Sequence, residues 1–169
     1  LLLGAMVILA ACSPPTLFPD NITGAVSRRP IEAEVYTRKA VAYSGYRAGQ
    51  SPGTKVYPSE AQIKQDLQLL IGQGFGLIRL YDCSTHGERT LKVIKDNNFD
   101  LKVFLGVWIS GPKASHDAEN QIQINKAVEL ASTYGNIVAA LSVGNETMVD
   151  WSFLAVPPKD MRDYISAVR

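Results

Sequence analysis

From Lys39 onward the chain alternates between short, nearly continuous apolar runs and longer stretches whose apolar residues recur every three or four positions. Ala40-Val41-Ala42-Tyr43 predicts a first strand, ended by Ser44-Gly45. Ser59 followed by Gln62 predicts a capping box, with Ser59 as N-cap and Gln62 reaching back. Ile63, Leu67, Leu70 and Ile71 then repeat at helical spacing until Gly72 stops the helix. Leu77 to Tyr81 predicts the second strand, and a helix over Gly87 to Asn97 follows with Leu91 and Ile94 facing in. Leu101 to Trp108 predicts the third strand. The third helix is expected from about Asn120 to Tyr134, with Ile124, Ala127, Val128 and Ala131 on one stripe. Ile137 to Val143 predicts the fourth strand. A last helix begins near Pro157-Pro158, its apolar face lined by Met161, Tyr164, Ile165 and Val168.

Four strand-helix units with apolar strands predict an α/β fold, a parallel sheet covered by helices. An open doubly wound sheet and a closed (β/α)8 barrel both satisfy that pattern, and both bind ligands at the carboxyl ends of the strands. Gly72-Gln73-Gly74-Phe75-Gly76 does not read as a nucleotide loop. Its glycines follow a helix and precede a strand, the reverse of the order that points helix amides at a phosphate.

Composition narrows the picture modestly. With 169 residues the chain is long enough for one domain with a sizeable core. A net charge of +1 argues against a nucleic-acid partner and for a neutral rather than polyanionic ligand. Cys12 and Cys83 lie in unlike contexts, so no disulfide framework is expected. Only His86 and His116 accompany them, so neither a metal site nor another cofactor is expected. Cys83 reads as a buried, inert thiol, and His86 as a capping or solvated residue at the start of a helix.

The first residues have a different character. Leu1 to Ala11 is apolar and too short to span a bilayer, which needs about 20 residues. It fits the apolar centre of a secretory signal peptide, and its ending Leu9-Ala10-Ala11-Cys12 resembles a bacterial lipobox. Lipidation of Cys12, export and anchoring to the cell envelope are the expectation. Ser13 after the Cys favours the outer membrane by the same resemblance. The boundaries read as signal 1–12, tether 13–38, and a domain of four strand-helix units over 39–169. The Asn21 sequon carries no weight beside a bacterial lipobox. Leu1 opens inside an apolar run and Arg169 falls inside a helical pattern, so both ends read as cut.

The strand ends collect the interesting chemistry: Tyr43 to Arg47, then Arg79, Tyr81 and Asp82, then Trp108, then Asn145 and Glu146. Aromatic faces stack on pyranose rings, while amide, guanidinium and carboxylate groups bond hydroxyls, so the set suits sugars. Glu146 directly follows an apolar strand. A partly desolvated carboxyl there would have the raised pKa that a general acid needs. Arg79 and Asp82 fit a structural ion pair as well as they fit substrate contacts. Trp108 fits a core position as well as a sugar platform, and Tyr43 and Tyr46 fit packing. Asn145-Glu146-Thr147 also spells a sequon, read as coincidence because an acceptor needs an accessible loop.

Val41-Ala42-Tyr43-Ser44-Gly45-Tyr46-Arg47, Ile78-Arg79-Leu80-Tyr81-Asp82, Leu105-Gly106-Val107-Trp108 and Val143-Gly144-Asn145-Glu146 resemble, in order, the first four strand ends of bacterial glycoside hydrolase family 17. The resemblance runs from about Lys39 to Arg169. It implies the first half of a (β/α)8 barrel and retaining action on β-1,3-linked glucans. It also implies that Glu146 is the acid/base, with Asn145, Arg79, Tyr81 and Asp82 as substrate-site or supporting residues. The family's nucleophile is a second Glu at the end of strand seven, beyond the four units read here. The resemblance therefore implies an intact enzyme whose present portion is inactive alone. A transglycosylase on the same scaffold, or a glycan-binding lipoprotein that kept the rim, fits the same residues.

Overall fold

A computed structural model describes residues 31–169. The signal and most of the tether, Cys12 included, lie outside the described residues. Ala33–Thr37 forms a 3-10 turn at the end of the expected tether, with Val35 buried. Four strands follow, β1 (Lys39–Ala42), β2 (Phe75–Arg79), β3 (Lys102–Val107) and β4 (Val138–Val143). They alternate with α1 (Glu60–Gly72), α2 (Thr85–Asp96), α3 (Lys113–Thr133) and α4 (Pro158–Ala167).

The strands are parallel and stand in the order β1-β2-β3-β4. A doubly wound sheet reverses its strand order at a switch point, and this sheet does not. Right-handed crossovers in an unreversed order put all helices on one face, as in the wall of a barrel.

The register shows which side chains form that face. Val41 lies beside Ile78, Ile78 beside Val103, Leu105 beside Leu141, and Val107 beside Val143. These residues meet Ile63 and Leu67 of α1, Leu91 and Ile94 of α2, Ile124, Ala127 and Leu130 of α3, and Met161 and Tyr164 of α4 in one core. Fully burying each such aliphatic side chain contributes about 1.5–3 kcal/mol. The expected capping box holds α1: Gln62 N–H donates to Ser59 Oγ at 3.2 Å and Ser59 N–H to Gln62 Oε1 at 2.9 Å.

The other sheet face differs from expectation. Arg79, Phe104, Ala140 and Ser142 are half-exposed there, and Ala40 and Ala42 are exposed. The apolar runs are thus buried chiefly on the helix side. Val128 and Ile165, expected on inward stripes, are exposed. Leu130 and Asn120 take inward positions on α3 instead. That helix begins seven residues before the expected Asn120, across a kink at His116. Its first turn has almost no apolar residue, so hydrophobic spacing carried no signal. Asn120 is buried because it bonds three groups: Ser110 N–H, Gly111 C=O and the Tyr164 hydroxyl.

Candidate active site

Parallel pairing delivers all four strand ends to one edge of the sheet, and the alternation of side chains sorts what they carry. Arg79 and Tyr81 share the open face. The Arg79 guanidinium lies 4.8 Å from the Tyr81 ring centroid, a cation–π contact. It also donates to Asn145 Oδ1 at 2.9 Å, joining the end of β2 to the segment after β4. Trp108 directly follows β3 and is half-buried. Among the expected rim residues, the structure therefore bonds Arg79 to both Tyr81 and Asn145.

The turn after β4 is unusual in its backbone. Gly144 has φ 78° and Glu146 has φ 54°. A Cβ on Gly144 would meet Thr147 Oγ1 at 2.7 Å and Met161 Cε at 3.1 Å, so glycine is required there on both counts. For Glu146 the left-handed conformation costs about 1–2 kcal/mol. Strain of this kind persists only where surrounding contacts enforce it, and it concentrates at functional sites. The enforcing contacts are the Arg79–Asn145 bond on one side and buried Thr147 on the other, whose hydroxyl donates to Met161 Sδ at 3.5 Å. Glu146 itself is exposed, in place of the partly desolvated position expected. Its strand, β4, stands at the edge of the four-stranded sheet and is half-exposed at every residue.

Asp82 and Tyr43 have other engagements. Asp82 Oδ1 accepts the Ser84 amide at 2.8 Å and the Ser84 hydroxyl, shaping the entry to α2. The alternative of an Arg79–Asp82 ion pair is replaced by these separate bonds. Tyr43, expected at the rim, is buried on the helix side, and its hydroxyl donates to Asp66 Oδ2 at 3.0 Å. Asp66 also pairs with Arg47 at 2.6 Å, so one α1 carboxylate fixes both ends of the turn after β1. Burial, then the Asp66 charge, push the Tyr43 phenol far above its ordinary pKa, so it stays protonated.

His86 was not foreseen as a buried group. Its ring lies 5.5 Å from that of Tyr43 and 5.0 Å from that of Tyr46, and its Nε2 accepts the Gly45 amide at 3.4 Å. Accepting that bond requires a neutral imidazole with the proton on Nδ1. Burial depresses its pKa below 6.5, against a smaller opposing pull from Asp82. Tyr46 completes the group. Its hydroxyl is buried without a hydrogen-bond partner among the described residues, and its pKa is pushed up to about 12 by burial and then by Asp82. His86 stands two helical turns before Val93 on the buried face of α2, a position that spacing marks, but its polar ring hides it from apolar periodicity; the turn after β1 supplies its partners. Cys83 is a buried thiol, as expected, pushed up to about 12 by burial.

A pH dependence follows. A depressed folded-state pKa means that the unfolded chain takes the proton first, so the stabilising effect of neutral His86 is complete above about pH 6.5 and declines as pH falls through the folded value. In urea titrations, wild type is expected to lose more stability between pH 7 and pH 5 than a His86→Gln variant. Equal losses would show that the ring titrates as it does in the unfolded chain.

A hollow at the opposite, amino-terminal edge is lined by Thr37, Lys39, Ile71, Gly74 and Phe75 and bordered by the Arg38–Asp100 ion pair. Strand starts in barrels serve stability rather than chemistry, so the carboxyl edge remains the candidate site. Among the described residues no cluster of three metal-binding side chains occurs, and no helix is long and apolar enough to cross a membrane.

This edge carries one carboxylate, an amide, a guanidinium and aromatic rings, groups that can bond and stack on a polyhydroxylated ligand. The chain is similar to the crystal structure of an endo-laminarinase from Formosa Hel1_33_131, with a TM-score of 0.67 and 28% identity. The likeness covers 78% of this chain and 37% of the laminarinase, so the fold resembles part of that enzyme's barrel. No curated protein matches the chain. Residues 40–169, nearly everything from β1 onward, match a family described as the BtgE/BtgC glycoside hydrolase domain, and the chain belongs to that family.

Proposed function

We propose that the full-length protein cleaves β-1,3-glucans with retention of configuration, as a member of glycoside hydrolase family 17, and that Glu146 is its acid/base. The observation that carries this reading is the Gly144-Asn145-Glu146 turn, held in a strained conformation at the carboxyl edge by the Arg79–Asn145 bond. The likeness to a protein named as an endo-laminarinase supports the choice of a β-glucan. In this reading Glu146 protonates the departing glycosidic oxygen, then takes a proton from the incoming hydroxyl. Asn145 bonds a hydroxyl of the reacting ring, Arg79 holds Asn145, and Tyr81 and Trp108 offer ring faces. Retention requires a second carboxylate about 5 Å from the first, as nucleophile. That group belongs to a strand outside these four.

Incubation of the full-length protein with laminari-oligosaccharides tests the reading. Shorter products are expected. Longer products would mean that a sugar hydroxyl, rather than water, receives the glycosyl group. Unchanged oligosaccharide would reject the catalytic reading and leave a glycan-binding protein.

We also propose that the protein is exported and held at the cell envelope by a lipid on Cys12, on the strength of the Leu-Ala-Ala-Cys ending. Mass spectrometry after expression of the full gene in a bacterium is expected to find a diacylglyceryl group on Cys12. An unmodified Cys12 within a chain processed elsewhere would contradict this. A single acyl chain binds membranes only marginally, so more than one chain on the Cys is expected for firm anchoring.

A further inference from the structure

The segment that follows Glu146 carries exposed aromatic surface that the reaction described above does not use. Trp151 is 70% exposed, Phe153 98% and Met148 60%. Holding large apolar side chains out to solvent has a free-energy cost, and three of them within the six residues from Met148 to Phe153 point to a surface used in binding. Their loop is built rather than slack. Val156 N–H donates to Thr147 C=O at 2.7 Å and closes its base, where both residues are buried. Within it, Ser152 N–H donates to Val149 C=O at 3.0 Å, and Leu154 N–H to Ser152 Oγ at 3.1 Å. The base is pinned into the core while the tip holds two rings outward, two residues apart.

We propose that Trp151 and Phe153 form a stacking platform for glucose rings of a β-glucan chain outside the ring being cleaved. The inference rests on the β-glucan reading above. Three features select a glucan strand as the occupant. The rings lie five and seven residues after Glu146, on the same loop as the proton donor. Their loop joins the carboxyl end of β4 to α4, at the edge where parallel barrels bind ligands. Their flat apolar faces match the C–H faces of pyranoses, and Asp150, exposed between Met148 and Trp151, can accept bonds from neighbouring hydroxyls. Trp151 and Phe153 thereby read the length of the chain, while the chemistry stays with Glu146.

The test compares the full-length wild type with Trp151→Ala, Phe153→Ala and the double variant on short and long laminari-oligosaccharides. KM for long chains is expected to rise about tenfold in the double variant, as loss of aromatic contacts of this kind implies. The kcat on long chains, and both constants on the shortest cleaved substrate, are expected to stay near wild type, and Trp151→Tyr to retain most of the affinity. An unchanged KM on long chains would overturn the platform while leaving the β-glucan reading intact, and so would an equal loss on short and long chains. Absence of β-glucan cleavage in wild type would remove both. Acrylamide quenching provides the second measurement. The difference between full-length wild type and Trp151→Phe isolates the Trp151 signal from that of Trp108 and any other tryptophan. Its fluorescence is expected to be quenched readily in the free protein and protected by laminarihexaose. Protection without sugar would show that another part of the protein or a second copy covers the rings, and would overturn the proposal.

Discussion

Replacing Glu146 by Gln in the full-length protein is expected to slow laminarin cleavage by about 10²–10⁴-fold, the usual contribution of a positioned general acid. The amide keeps the size and the hydrogen-bonding outline of the carboxyl but has no transferable proton. The backbone argues that the loss will be chemical. Glu146 is exposed and makes no packing contribution to the core, and Gln meets the same left-handed cost that Glu does. Thermal unfolding of the variant is therefore expected to match wild type. A substrate with a good leaving group should lose less, because its departure needs little protonation. Near-normal cleavage of laminarin by Glu146→Gln would refute the assignment.

The second large effect is expected at Gly106 in β3. A Cβ there would meet the Tyr81 carbonyl carbon and oxygen at 2.3 Å each, and the Leu80 oxygen at 2.5 Å. These are backbone atoms, which cannot swing aside as a side chain does. Leu80 N–H donates to Phe104 C=O at 2.9 Å, so the chain at this point is also tied to β3. Overpacking costs about 1–3 kcal/mol, and the upper end applies where backbone must move. Gly106→Ala is expected to lower the Tm of the full-length protein by roughly 5–10 °C. It should also displace Tyr81 and weaken substrate affinity. Gly72→Ala is the control. Nothing lies within 4 Å of its Cβ, and it ends α1, so it is expected to be neutral or stabilising by about 0.5–1 kcal/mol. Equal effects of the two substitutions would show that Gly106 is not closely packed.

Much of the fold was legible because a helix-covered parallel sheet writes itself as apolar runs and helical stripes. The α1 capping box and the stripe residues Ile63, Leu67, Leu91, Ile94, Ile124 and Met161 stand where spacing places them. Strand limits shifted by a residue or two, because pairing with neighbours, not apolarity, decides where a ladder ends. β2 starts at Phe75 because Lys39 pairs with it. Spacing could not choose between barrel wall and doubly wound sheet; the strand order does. At the site, Arg79, Tyr81, Asn145 and Glu146 were marked by their place after apolar runs. Their wiring was not, since the Arg79–Asn145 bond joins residues 66 positions apart. Tyr43 shows the limit most clearly. One step of strand alternation separates a rim residue from a core residue, and it fell on the core side beside His86. His86 shares the spacing of Thr90 and Val93 on the buried face of α2, yet a polar ring at a helix start does not read as core, and its partners come from the turn after β1.

The most direct measurement of the central claim is azide rescue of a Glu146→Ala variant of the full-length protein, acting on a substrate with a good leaving group. Removing the carboxylate opens space beside the glycosyl-enzyme, and a small anion can enter without needing a general base. The account predicts partial recovery of turnover and a glycosyl azide with the β configuration of the substrate, because the covalent bond lies on the opposite face. An azide product of inverted configuration would contradict it and make Glu146 the nucleophile.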